Sequence, residues 1–219
     1  FKFIYLTKYK YNIIINLNKR EILLKKVICM AKLYFRYGCM GSSKTANALM
    51  TKFNYEEKGK KVLLLKPSID TRDGKTIIKS RIGLQAEAIC FDKNTSIIDD
   101  ILVKTSSLID CIIVDECQFC TKEQIDDFRR IVDELNIPVF CYGLRTDFQT
   151  KLFEGSKRLF EIADSISEIK SICSCGKKAI VNARYKDKEI VYDGEQVELG
   201  GNDKYIALCY ECWSKGIIR

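Results

Sequence analysis

A chain of 219 residues, 47% hydrophobic and 30% charged, is that of a soluble globular protein with room for one α/β domain plus a small appendage. Eleven cysteines, odd in number and mostly scattered through apolar runs, exclude a secreted disulfide framework and fit a reducing, cytoplasmic setting, and with no histidine any general base must be a carboxylate, lysine or tyrosine. The net charge of +8 does not argue for nucleic acid, because residues 1–29 carry seven basic residues and one Glu, a net of +6, leaving +2 for the rest.

Those first residues, FKFIYLTKYKYNIIINLNKREILLKKVIC, lack Gly, Pro, Ala and Asp and start with Phe. Their apolar runs are cut by Lys and Asn before the ~18 residues of a spanning helix, and no small-residue cleavage site follows. Almost all their residue types are ones that AT-rich codons encode. The preferred reading is upstream DNA translated in frame, with Met30 as the start; a basic membrane-surface helix or a structural arm are the alternatives.

From Lys32, KLYFRY reads as a buried strand running into YGCMGSSKTANAL. That stretch follows the phosphate-loop pattern G-x-x-x-x-G-K-[ST], with Gly38 first and Lys44 and Thr45 last. Ser43 stands where the second glycine belongs, and a left-handed backbone there costs a non-glycine about 1–2 kcal/mol. In such a loop the backbone N–H groups of Cys39, Met40, Gly41, Ser42 and Ser43 cradle a phosphate, Lys44 reaches the β- and γ-phosphates and the Thr45 hydroxyl ligates Mg²⁺. The bland alternative is a strand, a turn and a helix with an exposed lysine. A helix follows, with Ala46, Leu49, Met50 and Phe53 at helical spacing and Gly59 at its end.

KVLLLKP is a second strand, and residues 68–84, SIDTRDGKTIIKSRIGL, read as a polar irregular loop over the strand ends. Residues 97–109 fit an amphipathic helix. CIIVDE, residues 111–116, is a continuous apolar run ending in two carboxylates, as in a central parallel strand. Downstream of a phosphate loop, Asp115 is placed to serve Mg²⁺ and Glu116 to take a proton from an acceptor hydroxyl, with Cys117 and Gln118 beside them on the nucleotide side. Taken alone, two acids after a strand are more often a helix N-terminal charge feature. Thr121 to Gln124 forms a capping box ahead of a helix buried through Ile125, Phe128, Val132 and Leu135, and IPVFCYG is another central strand. Strand and helix alternating at this spacing predict an α/β fold: a P-loop parallel sheet flanked by helices.

Near Ile172 the character changes, which divides the chain into an α/β nucleotide-binding domain over residues 30–172 and a small zinc-binding domain over 173–219. Cys173-x-Cys175 and Cys209-x-x-Cys212 supply four thiolates on two knuckles, the pattern of a structural zinc site. Free thiols in a core are the alternative, but Ser174, Gly176 and Lys177 are poor core residues. Between the pairs, YDGEQVELGGNDKY, residues 192–205, reads as a loop pinned at both ends, or as a zinc-ribbon hairpin with no further role.

Together AKLYFRYGCM, SRIGL, DECQF, CYGLRTDF, LFEGSK and GEQVELGGNDKY, in this order, resemble the type II thymidine kinase family, the cytosolic and bacterial class, from about Met30 to Trp213. The resemblance implies ATP-dependent phosphorylation of the thymidine 5′-hydroxyl, with Mg²⁺ accompanying ATP and a structural Zn²⁺. It implies that Gly38 to Thr45 hold the triphosphate, that Glu116 is the catalytic base, and that Asp70 and Arg72 form a D-x-R element with the arginine near the phosphates. Phe148 would stack on thymine, and Met40 and Leu144 would shape the pocket around the 5-methyl group. A lasso of Val197, Glu198, Leu199, Gly200 and Gly201 would cover the base, closed by Tyr205. Family members are typically homotetramers inhibited by thymidine triphosphate; neither nucleic acid nor membrane is an expected partner. The competing readings are a P-loop NTPase whose zinc knuckle binds single-stranded nucleic acid, and an inactive regulatory relative.

Overall fold

The computed structural model describes residues 30–70, 74, 76–105, 108–198 and 204–218. The expectations for residues 1–29, Arg72, Leu199, Gly200 and Gly201 lie outside the described residues.

Strand β1, Leu33–Tyr37, leads through a short loop into helix α1, Lys44–Glu56. Then come β2 (Val62–Pro67), the short strands β3 (Ile77–Lys79), β4 (Gln85–Glu87) and β5 (Ile89–Phe91), and β6 (Cys111–Val114). Helix α2 (Lys122–Leu135), β7 (Val139–Gly143), helix α3 (Glu154–Ile162) and β8 (Ser165–Glu168) complete the first part. Six of these strands form one sheet in the order β5-β2-β6-β7-β1-β8, with every pairing parallel. Representative partners are Leu63 with Ile112, Ile113 with Phe140, and Phe35 with Cys141.

All four residues of β6 are buried, because the sheet is covered on both faces. Successive side chains alternate between two cores. Ile112 and Val114 join Phe35, Leu63, Phe128 and Ile131 on the α2 and α3 face, whereas Cys111 and Ile113 join Leu64, Ala48 and Leu49 under α1. The loops that follow β1, β2, β6 and β7 therefore gather at the carboxyl edge of the sheet, where α/β proteins bind ligands. Helix α2 carries the expected capping box: Gln124 N–H donates to Thr121 Oγ1 at 3.3 Å and Thr121 N–H to Gln124 Oε1 at 3.1 Å.

Three local expectations are corrected. Residues 68–84 are not wholly irregular, because Ile78 is buried against Ala48 and Leu49 and β3 pairs with β4 as an antiparallel ribbon. Residues 97–109 do not make a full helix. A single π-type turn over Ile97–Leu102, capped by Ser96 Oγ accepting from Asp99 N–H, already buries Ile97, Ile101 and Leu102. On α1, Met50 and Phe53 are 53% and 64% exposed, since the helix rests on the sheet through the small Ala48 with Leu49.

Beyond β8, β9 (Ser171–Ile172) and β10 (Lys178–Ala179) form a two-stranded ribbon. Strands β11 (Val181–Lys186), β12 (Glu189–Val191) and β13 (Tyr205–Leu208) make an antiparallel sheet in the order β12-β11-β13, followed by the short helix α4, Tyr210–Ser214. Among the described residues no helix is long and apolar enough to cross a membrane.

Candidate active site

Gly38 turns the chain out of β1. Its N–H donates to Gly143 O at 3.2 Å, and a Cβ at this position would meet Ile169 O and Ser42 Oγ, each at 2.4 Å, so no larger residue fits. Gly41 is left-handed at φ 76°, and so is Ser43, at φ 62° and ψ 27°, immediately before α1. The serine thus holds the backbone geometry that a glycine would adopt freely, at a strain of about 1 kcal/mol. Lys44 is only 8% exposed and folds back over the loop, its Nζ donating to Cys39 O at 2.8 Å.

A strain this small leaves the backbone N–H groups where they are. Ser43→Gly is therefore expected to change ATP affinity by no more than about tenfold. Relief of strain is offset by the greater freedom of glycine in the unfolded chain, about 0.4–1 kcal/mol, so thermal unfolding should shift by only a few degrees. Parallel ATP titrations and melting curves check this. A parent protein that binds no ATP until Ser43 is replaced would overturn it.

Asp115 extends β6, its N–H donating to Leu65 O at 3.0 Å. It is 4% exposed, and burial first and the Glu116 charge second push its carboxyl up to about 7, opposed by a hydrogen bond from Thr45 and by the Lys44 charge. Its Oδ1 is buried with no hydrogen-bond partner among the described residues. An orphaned carboxylate oxygen beside a hydroxyl and a cavity is a donor set that a divalent cation fits. Glu116 follows in a left-handed conformation, φ 53° and ψ 38°, which turns its side chain out of the strand direction at the carboxyl edge. Gln118 fixes that carboxylate: its Nε2 donates to Glu116 Oε2 at 2.6 Å while its Oε1 accepts from Leu144 N–H at 3.0 Å.

These groups share a cavity of about 500 Å³. The lining includes Gly41, Ser43, Lys44, Thr45, Asp70, Asp115, Glu116 and Gln118, and also Met40, Leu144, Phe148, Val197, Glu198 and Tyr205. The side chains of Cys39, Ser42 and Cys117 do not belong to the lining. Cys39 packs into the cysteine-rich core of β9–β13, and Ser42 is 4% exposed. Cys117 is wholly buried against Gly143, and burial first, then its contact with Cys141, holds its thiol well above the usual range. Asp70 lies 3.9 Å from the buried ammonium of Lys66, which donates to Gly74 O and Ile77 O.

Around Phe148 and Tyr205 the structure adds residues that no sequence motif had indicated. The Arg184 guanidinium lies 3.8 Å above the Phe148 ring, and it donates to Tyr205 Oη from Nε and Nη2 at 3.1 and 2.8 Å and to Glu195 O at 2.9 Å. Tyr205 Oη donates in turn to Glu198 O at 2.9 Å. Phe148 is 1% exposed with one ring face taken by this cation, and Phe153 lines the same cavity. Asn182 bridges the two parts of the chain, accepting from Met40 N–H at 2.7 Å and donating to Thr146 O at 3.1 Å. Gln196 Nε2 reaches Asp147 Oδ2 at 2.9 Å. A signal for two of these was present: Asn182 and Arg184 alternate with apolar Val181 and Ala183 along β11, which places two polar side chains on one strand face.

The sulfurs of Cys173, Cys175, Cys209 and Cys212 all lie within 4.8 Å of one another, with Cys175 and Cys209 3.6 Å apart. Zinc–sulfur bonds of ~2.3 Å in a tetrahedron separate the sulfurs by about 3.8 Å, so the cluster could hold a metal ion such as zinc. The pairs sit on two knuckles, one in the β9–β10 turn and one opening α4, where Cys209 Sγ accepts from Cys212 N–H at 3.4 Å.

A parallel sheet with a glycine loop, a folded-back lysine and two carboxylates at its carboxyl edge defines the class of nucleotide-binding α/β proteins. A family model described as Thymidine kinase matches residues 31–213. The thymidine kinase of Zymomonas mobilis subsp. mobilis is 51% identical over 182 residues, 82% of this chain and 94% of the relative. That of Lactococcus lactis subsp. lactis is 47% identical over 187 residues, 85% of this chain and 98% of the relative. A Streptococcus pyogenes thymidine kinase is 45% identical over 82% of this chain and 95% of its own. The chain belongs to the thymidine kinase family.

Proposed function

We propose that this protein transfers the terminal phosphate of ATP to the 5′-hydroxyl of thymidine, giving dTMP and ADP in nucleotide salvage. The observation that carries this is one cavity lined by Lys44, Thr45, Asp115 and Glu116 and also by the aromatic Phe148, Phe153 and Tyr205. Phosphoryl transfer asks for in-line positioning and charge neutralisation rather than covalent chemistry. Lys44 neutralises charge on the transferred group. Thr45 and Asp115 are the residues that would hold Mg²⁺, which when bound draws charge from the phosphate oxygens. Glu116, oriented by Gln118, takes the proton of the acceptor hydroxyl. Gly38 to Thr45 seat the triphosphate, with Asp70 beside it. Met40, Leu144, Phe148 and Phe153 surround the thymine, and Val197, Glu198 and Tyr205 close over it. The test is direct: the purified protein with thymidine, ATP and Mg²⁺ should form dTMP and ADP in equal amounts, and absence of any nucleoside phosphorylation would overturn the reading.

The remaining features follow the same reading. Thymidine triphosphate, which carries both the base and a triphosphate, is the feedback inhibitor; the protein is a cytoplasmic homotetramer; and residues 30–172 and 173–219 act as catalytic and lasso-bearing domains. The ion held by the cysteines is zinc, one per chain, and metal analysis of protein prepared without added zinc measures it. A structural zinc contributes to folding directly. Cys175→Ser is therefore expected to lower zinc content, lower the melting temperature and raise the KM for thymidine. Full activity in zinc-free protein would contradict this.

A further inference from the structure

The turn between β3 and β4 lies outside the catalytic set assigned so far, and it is built with some care. Ile78, 3% exposed, anchors β3 under α1 beside Ala48 and Leu49. The buried Lys66 Nζ fastens the start of the ribbon through Ile77 O, and Ile78 pairs with Ala86 across it. At the turn, Ser80 N–H donates to Leu84 O at 2.7 Å, Leu84 N–H to Ser80 Oγ at 3.0 Å and Gly83 N–H to Ser80 O at 3.0 Å. Gly83 supplies the left-handed residue, φ 89°, that lets the chain reverse so tightly. The residue this turn presents is Arg81. It lines the same cavity as Lys44 and Thr45, and its Nη1 lies 3.4 Å from where a Cβ on Gly41 would sit. A larger residue at position 41 would crowd the guanidinium. The loop and the turn thus meet at Gly41, with Arg81 on that side of the phosphate loop and Lys44 folded onto Cys39 O.

We propose that Arg81 is a phosphate-binding residue that grips the terminal phosphate of the bound nucleoside triphosphate from the Gly41 side of the loop. This rests on the nucleotide reading of residues 38–45. A guanidinium offers planar paired donors that match phosphate oxygens, and the hydrogen-bonded turn that carries it sets it beside the loop. A terminal-phosphate contact distinguishes ATP from ADP, which a merely structural turn residue would not do.

The experiment compares Arg81→Gln, Arg81→Lys and Lys44→Ala with the parent, with Mg²⁺ present, by calorimetric titration of ATP and of ADP and by steady-state kinetics. Arg81 is exposed to solvent, so neither replacement removes core packing, and melting curves verify the fold. The expected result for Arg81→Gln is ATP affinity lowered at least about tenfold, ADP affinity changed less than about threefold, and thymidine KM within about threefold of the parent, with Arg81→Lys intermediate in ATP affinity. If ATP and ADP affinities are unchanged, or fall equally, while Lys44→Ala still removes turnover, the proposal is wrong and the loop reading stands. If Lys44→Ala also leaves ATP binding and turnover intact, the loop reading itself is overturned and the proposal with it.

Discussion

Lys44→Ala is expected to lower kcat by about 10³-fold or more. The side chain is almost wholly buried and already held across the loop by its bond to Cys39 O, so much of its conformational freedom is lost before a phosphate binds. No other lysine belongs to residues 38–45 that could substitute. The lost interaction is charge-assisted and lies in a cavity, where it is worth more than in water. Its loss should cost the fold little. Alanine is the best helix former, and one hydrogen bond contributes only about 0.5–1.5 kcal/mol. A rate assay at saturating thymidine, with thymidine binding and melting temperature as controls, separates the catalytic loss from unfolding. Turnover within about tenfold of the parent would show that Lys44 does not face the transferred group.

Much of this site was legible because its chemistry is encoded locally. The pattern from Gly38 to Thr45 fixes a strand, a loop and a helix within a few residues, and the left-handed geometry at Ser43 is what the missing glycine implied. The run of Cys111 to Val114 announced a strand buried on both faces, and the following acids fell at its carboxyl end. The two cysteine pairs are far apart in the chain, but each knuckle is local, so the spacing identified both, and the packing of β9 and β10 against β13 brings the four sulfurs together.

What escaped the sequence depends on contacts between distant segments. Residues 68–84 look polar throughout, and only the burial of Ile78 against α1 explains why a ribbon forms there and why Arg81 reaches Gly41. The run Ile97 to Ile109 has helical periodicity, yet one turn already buries Ile97, Ile101 and Leu102, while Val103 and Leu108 stay exposed. Asn182 and Arg184 make their bonds to Met40, Thr146, Tyr205 and Glu195, partners that no local pattern supplies. Phe148 was assigned as a stacking residue from its motif, but one face of its ring already carries a guanidinium, which turns attention to its second face and to Phe153.

Glu116→Gln is expected to lower kcat by about 10²–10⁴-fold while ATP binding stays close to that of the parent. Glutamine keeps the volume and shape of the side chain, and its amide oxygen can still accept from Gln118 Nε2, the bond that fixes the carboxylate at 2.6 Å. The left-handed backbone at this position is unaffected by an isosteric change, so the turn after β6 and the placement of Asp115 are retained. The one property removed is the capacity to take a proton from the acceptor hydroxyl. The chain has no histidine, Asp115 is assigned to the metal, and the other described carboxylates of the cavity, Asp70, Asp147 and Glu198, are engaged by Lys66, Gln196 and Lys204. A loss in kcat with unchanged ATP affinity therefore identifies Glu116 as the base. Equal losses in both would make it a nucleotide ligand instead, and turnover within a few-fold of the parent would send the proton by another route.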